Sequence, residues 1–73
     1  MDTNQSDHLM SEARANFSDL IGAVHLMRRI YYVTRRNQRR AAIMPADLGE
    51  LIEQAGGPDK AAAVLRAHLA NAE

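Results

Sequence analysis

The feature that most limits the fold is a change of hydrophobic period just before residue 30. In SEARANFSDLIGAVHLM, Ser11 to Met27, the apolar residues Ala13, Phe17, Leu20, Ile21, Val24 and Met27 recur at i, i+4, i+7, i+8, i+11 and i+14. That spacing is one stripe of an amphipathic helix. Ser11 suits its N-cap, because a hydroxyl can accept a hydrogen bond from a free N–H of the first turn. Gly22 costs about 1 kcal/mol relative to alanine in a helix interior, so it is expected to mark a close packing contact.

The next stretch, IYYVTRRNQRRAAIM, is of another kind. Ile30 to Thr34 are β-branched or aromatic and favour a strand. RRNQRR supplies a turn, with Asn37 the residue most tolerant of positive φ. With Asn37 and Gln38 as the central pair, Thr34 faces Ala41, Val33 faces Ala42, Tyr32 faces Ile43 and Tyr31 faces Met44. Alternation then places Ile30, Tyr32, Ala41 and Ile43 on one face, and Tyr31, Val33, Ala42 and Met44 on the other. Both faces are apolar, and an isolated hairpin is marginal without cover. One face can pack on the first helix. The second, Tyr31, Val33, Ala42 and Met44, is the expected interface of a homodimer.

The flanking segments complete an α+β reading. DHLM, before the helix, can add an N-terminal strand to make a short antiparallel sheet packed on helices. Pro45 ends the hairpin, and Leu48, Leu51, Ile52 and Ala55 form a short helical stripe that runs into Gly56-Gly57. Pro58 can open a last helix in which Val64, Leu65 and Leu69 are the bulky anchors. The expected organisation is a disordered stretch 1–7, a domain 8–55 and a helical C-terminal segment 56–73.

A domain of 73 residues buries only about 60% of its unfolded surface and is marginal alone. Nothing staples it. There is no cysteine, and His8, His25 and His68 lack metal-ligand spacing. Association is the remaining route to more burial. The polar N-terminus MDTNQSD has no signal-peptide pattern, and no apolar run reaches the ~18 residues of a membrane span, so a soluble, cytoplasmic protein is expected. No Ser-His-Asp set, carboxylate pair or glycine-rich phosphate loop stands at working spacing, so neither an enzyme nor a cofactor is expected.

Charge is balanced, nine cations against nine acids, yet six of the cations fall between Arg28 and Arg40 without one acid among them. In the register above, Arg35 faces Arg40 and Arg36 faces Arg39, and like charges across a ladder repel. All four are arginine, the residue suited to bidentate phosphate and guanine contacts. They point to an anion, foremost DNA, or else an acidic protein partner. Arg28 and Arg29 are accounted for by the dipole at a helix C-terminus. Arg14 is not, since a cation is disfavoured in a first turn. With Ser11 it suggests an anion-binding helix terminus.

Ser11-Glu12-Ala13-Arg14, Asn16-Phe17-Ser18, Thr34-Arg35 and the small, aliphatic run Ala41 to Met44, taken together over residues 8–55, resemble the Phd/YefM (prevent-host-death) antitoxins. The resemblance implies a dimer that binds operator DNA and represses its own operon. It also implies a C-terminal segment that folds on a partner toxin. By that likeness Arg14 and Arg35 lead the DNA contacts with Ser11 and Asn16 in support, beside Arg36, Arg39 and Arg40. Leu51, Val64, Leu65 and Leu69 would meet the toxin. The turn departs from the family's pattern, with Gln38 where a glycine is common, and the tail carries no specific toxin-binding motif. A stand-alone regulator without a toxin is the alternative.

Overall fold

The computed structural model describes residues 5–72. Seven elements follow in order: β1 (Asp7–Leu9), α1 (Met10–Ala15), α2 (Phe17–Met27), β2 (Tyr31–Arg35), β3 (Gln38–Ile43), α3 (Ala46–Gln54) and α4 (Pro58–Ala70). The expected disorder of residues 1–7 falls partly outside the described residues. Within them the boundary moves: Asp7 already belongs to β1, and the Ser6 carbonyl accepts a 2.7 Å hydrogen bond from the Tyr32 N–H.

The expected single helix is broken at Asn16, which adopts φ −120°, ψ 28°. Its backbone N–H and its side-chain Nδ2 both donate to the Glu12 carbonyl, at 3.0 and 3.1 Å. A side chain that competes locally for backbone groups in this way ends helices. Ser11 is not the N-cap. Leu9, extended at φ −63°, ψ 147°, holds that position with no side-chain cap, because β1 runs directly into α1. Gly22 makes no close contact either: a Cβ added there would meet nothing within 4 Å.

The sheet has the order β1-β2-β3 and is mixed, not antiparallel. β1 runs parallel to β2, with Asp7, His8 and Leu9 beside Tyr32, Val33 and Thr34. Two helices separate these strands, and such a crossover returns the chain in the same direction.

The hairpin register also differs from expectation. Arg36 (φ 54°) and Asn37 (φ 62°) are the two turn residues, the left-handed pair a two-residue type I′ turn requires. Arg35 therefore faces Gln38, and Thr34 faces Arg39. A bulge follows between Val33 and Thr34, leaving Arg40 as an extra residue, and beyond it Val33 faces Ala41, Tyr32 faces Ala42 and Tyr31 faces Ile43. The turn is thus centred one residue earlier than expected, and the bulge restores an apolar inner face. No arginine faces another across this ladder, so the expected like-charge repulsion between cross-strand pairs is absent.

That inner face covers α1 and α2. Ala13, Leu20, Ala23, Val24 and Tyr31 form the buried cluster, and Val33 and Ile43 pack against it. Tyr31 (1% exposed) and Val33, expected at a dimer interface, are thus spent inside the protomer. The bulge shifts β3 by one residue, so Ala41 and Ile43 share that face with them. His8 is buried beside them, its ring 4.9 Å from that of Tyr31 in a T-shaped contact, and its Nε2 is 2.8 Å from the Gln5 carbonyl.

α3 and α4 form a helical pair at the end of the chain. Gly56 and Gly57, at φ 103° and 101°, make the reversal between them, a conformation open to glycine at little cost. Ala61 is the buried residue of α4, while Leu51, Val64, Leu65 and Leu69 remain exposed. Among the described residues no helix is long and apolar enough to cross a membrane.

Candidate nucleic-acid interface

Five of the six arginines of the run, all but Arg29, are divided by the fold into two kinds. Arg28 caps α2 in the left-handed conformation (φ 56°). Its guanidinium donates to both oxygens of Asp47, at 2.8 and 2.7 Å. These hydrogen bonds hold the Asp47 carboxyl below its usual range and stabilise the charged guanidinium further. Arg39 is also engaged. Its Nε donates to Asp7 Oδ1 at 2.7 Å, and its guanidinium lies 3.8 Å above the Tyr32 ring. Asp7, Tyr32 and Arg39 come from β1, β2 and β3 in turn. Their outer-face cluster links three strands, so the Arg39 guanidinium, expected to contact DNA, is engaged within the protomer while about half of its side chain (53%) stays exposed.

Arg35, Arg36 and Arg40 are of the other kind. All three are exposed, and with Met10 they line one open concavity of about 420 Å³, with no carboxylate among the described residues of its wall. The local folding explains the grouping. β2 alternation sends Arg35 to the inner side beyond the reach of α2. The bulge re-aims Arg40 to that side as well. The turn sets Arg36 at the tip. Among the described residues no carboxylate stands with these three guanidinium groups, an arrangement whose chemistry suits an anion with several negative groups.

Arg14 and Asn16 lie together elsewhere. With Ser18 and Asp19 they border a shallower hollow of about 180 Å³ at the α1–α2 junction. Asp19 stands in its wall, so this second site is not purely cationic. Ser11 is exposed on α1 and lines neither hollow. Neither Met10 beside the arginine trio nor the pairing of Asp7 with Arg39 is visible in the sequence. The parallel register of β1, which brings Asp7 beside Tyr32, was the missing information.

A third feature is apolar. Leu48, Leu51, Ile52, Ala61, Val64 and Leu65 line a groove of about 240 Å³ between α3 and α4. Leu69 lies exposed beyond it. Ala42 is exposed on the outer sheet face. Met44 borders a separate hollow with Ile21 and Pro45. The four residues expected at a dimer interface therefore do not form one surface. Among the described residues no group of three or more His, Cys, Asp or Glu could hold a metal ion.

Compared with known proteins, the chain matches no family model, no curated protein and no solved structure.

Proposed function

We propose that this protein binds duplex DNA as a homodimer and represses its own operon, in the manner of a Phd/YefM antitoxin. The observation that carries the reading is the trio Arg35, Arg36 and Arg40 around Met10. A solvated turn needs no such grouping, and arginine matches phosphate oxygens in fork geometry where lysine does not. The element order adds support: a short strand, a helical stretch, a strand ending Thr34-Arg35, a tight turn, a second strand and a short helix. Those are the pieces that the resemblance leads one to expect, in that order.

Dimerisation is supported by what one protomer leaves uncovered. Leu26 is 79% exposed, and Phe17, Ile21 and Met27 on the same helix are also exposed, more apolar surface on one element than scattered single residues explain. The toxin-neutralising role rests on the α3–α4 groove. Its lining is apolar, while Glu50, Glu53 and Asp59 on the same two helices are exposed acids, so the fitting partner presents an apolar ridge flanked by cations. A regulator without a toxin is the second reading, favoured by α4 being already docked on α3 through Ala61.

The test is binding to the intergenic DNA upstream of its own coding sequence as salt is varied. A dimer neutralising Z phosphates gives a log K against log salt slope of about −0.9Z. Arg35→Ala should weaken binding and flatten that slope with no loss of thermal midpoint. Unchanged binding by Arg35→Ala removes the hairpin from the DNA interface.

A further inference from the structure

Arg28 and Arg36 are the two arginines held at positive φ, and comparing them leads past general DNA affinity. Left-handed backbone is unfavourable for a residue with a Cβ, and Asn or Gly is the usual occupant. At Arg28 the structure supplies the reason. The residue closes α2, and its head group is taken by Asp47. At Arg36 the described residues supply no such partner. It occupies the first position of a two-residue turn, exposed, with Asn37 beside it in the same conformation. A glycine there would make an easier turn. Strain retained at an exposed polar residue points to use of its side chain.

Resting on the DNA-binding reading above, we infer that the hairpin tip enters the major groove and that Arg36 and Asn37 read a guanine and an adenine, while Arg35 and Arg40 hold the flanking phosphates. The major groove admits a two-stranded ribbon. The narrowest part of this one is its turn. Arginine is the bidentate partner of guanine O6 and N7, and asparagine that of adenine N6 and N7. The tip thus carries the two side chains that read purines, next to each other on a tight turn. Arg35 and Arg40 stand further back on β2 and β3, where a ribbon inserted tip-first brings them to the sugar–phosphate walls. Sequence reading and backbone anchoring are thereby divided among residues of one type by their place in the hairpin.

The experiment compares the full chain and its variants on upstream DNA, on random-sequence duplex, and on upstream duplexes in which single guanines are replaced by 7-deazaguanine. That base pairs normally but lacks the N7 acceptor in the major groove. Wild type should lose about tenfold in affinity at one guanine in each half-site. Arg36→Gly should bind the natural and the deaza duplex equally, with a thermal midpoint at or above that of wild type. Arg36→Asn, which also suits the turn, should behave alike. Arg35→Ala should remain sensitive to the deaza base while its salt slope falls by about one per protomer. Two results overturn the inference and leave the DNA-binding reading intact: selective binding of upstream DNA that no deaza substitution weakens, or an Arg36→Gly protein that keeps the sensitivity. Equal binding of upstream and random duplex overturns both.

Discussion

Arg28 at the end of α2 and Asp47 in the first turn of α3 face each other through two parallel hydrogen bonds of 2.8 and 2.7 Å. Each charge sits where a helix favours it, the cation at a C-terminus and the anion at an N-terminus. The pair is exposed, and an exposed pair adds little to global stability. It joins the end of α2 to the first turn of α3, beside the buried Pro45.

The ion pair has a pH signature. Asp47 titrates below its ordinary value of 3.8 because Arg28 hydrogen-bonds to its charged form. A depressed carboxylate contributes in full above its unfolded value and loses that contribution as pH falls through the folded one. Asp47→Asn should therefore speed amide exchange in α3 at neutral pH relative to wild type. The difference should shrink as pH falls below about 3.8 and vanish once it has passed the depressed folded value. A difference that persists in acid would mean the carboxylate acts by something other than its charge.

Leu20 is fully buried at the centre of the cluster formed with Ala13, Ala23, Val24 and Tyr31. Leu→Ala at such a site costs about 2–5 kcal/mol, a large share of what a small domain has. Leu20→Ala should shift the urea midpoint strongly or leave the chain unfolded. Phe17→Ala, on an exposed member of the same stripe, should cost little in the isolated protomer and should weaken the proposed dimer. Sedimentation of the Phe17 variant checks the second half of that statement.

His8 offers a test of a buried polar group. Its Nδ1 is buried with no hydrogen-bond partner among the described residues, while the Nε2 edge meets the Gln5 carbonyl. An unsatisfied buried atom costs about 1–3 kcal/mol, and an apolar group of similar shape can be neutral or stabilising. His8→Phe keeps an aromatic ring against Tyr31, so its thermal midpoint should equal or exceed that of wild type. His8→Ala should lower it by opening a cavity. Loss of stability on going to Phe would show that the Gln5 contact outweighs the orphan nitrogen.

Much of the architecture was legible in the sequence, because period and residue type report local structure directly. The α2 stripe, the hairpin, the α3 stripe ending at Gly56-Gly57 and the proline-led α4 are all where the pattern put them. Three things were not legible. The break at Asn16 depends on a side chain folding back on Glu12, which spacing does not show. The hairpin register depends on which two of Arg36, Asn37 and Gln38 take positive φ, and on a bulge that no pattern announces. A slip of one residue exchanges the faces of a strand, so Ala41 and Ile43, not Ala42 and Met44, share a face with Tyr31 and Val33, and which of two apolar faces meets the helices is not written in the alternation. The partners of the arginines depend on which strands are neighbours. Asp7 lies thirty-two residues from Arg39 in sequence, and the parallel placement of β1 alone brings them together. The sequence therefore shows the concentration of arginine, while which of its members take a carboxylate partner is not readable there.

The C-terminal helix carries the last prediction. α4 contributes one buried residue, Ala61, and otherwise presents Val64, Leu65 and Leu69 to solvent. Helices of this length are marginal without a packed face, so α4 should exchange its amides well before α2, whose Leu20, Ala23 and Val24 are in the core. Removing residues 58–73 should then move the unfolding free energy of the remainder by no more than about 0.5 kcal/mol, the range of surface changes. A much larger loss would make α4 part of the structural core and close the groove to a partner. In the intact chain, Leu51→Ser and Leu65→Glu should leave the thermal midpoint and DNA affinity unchanged while abolishing capture of a cation-flanked apolar helix. If those two variants bind such a helix as wild type does, the groove is not its docking site, whatever the DNA experiments show.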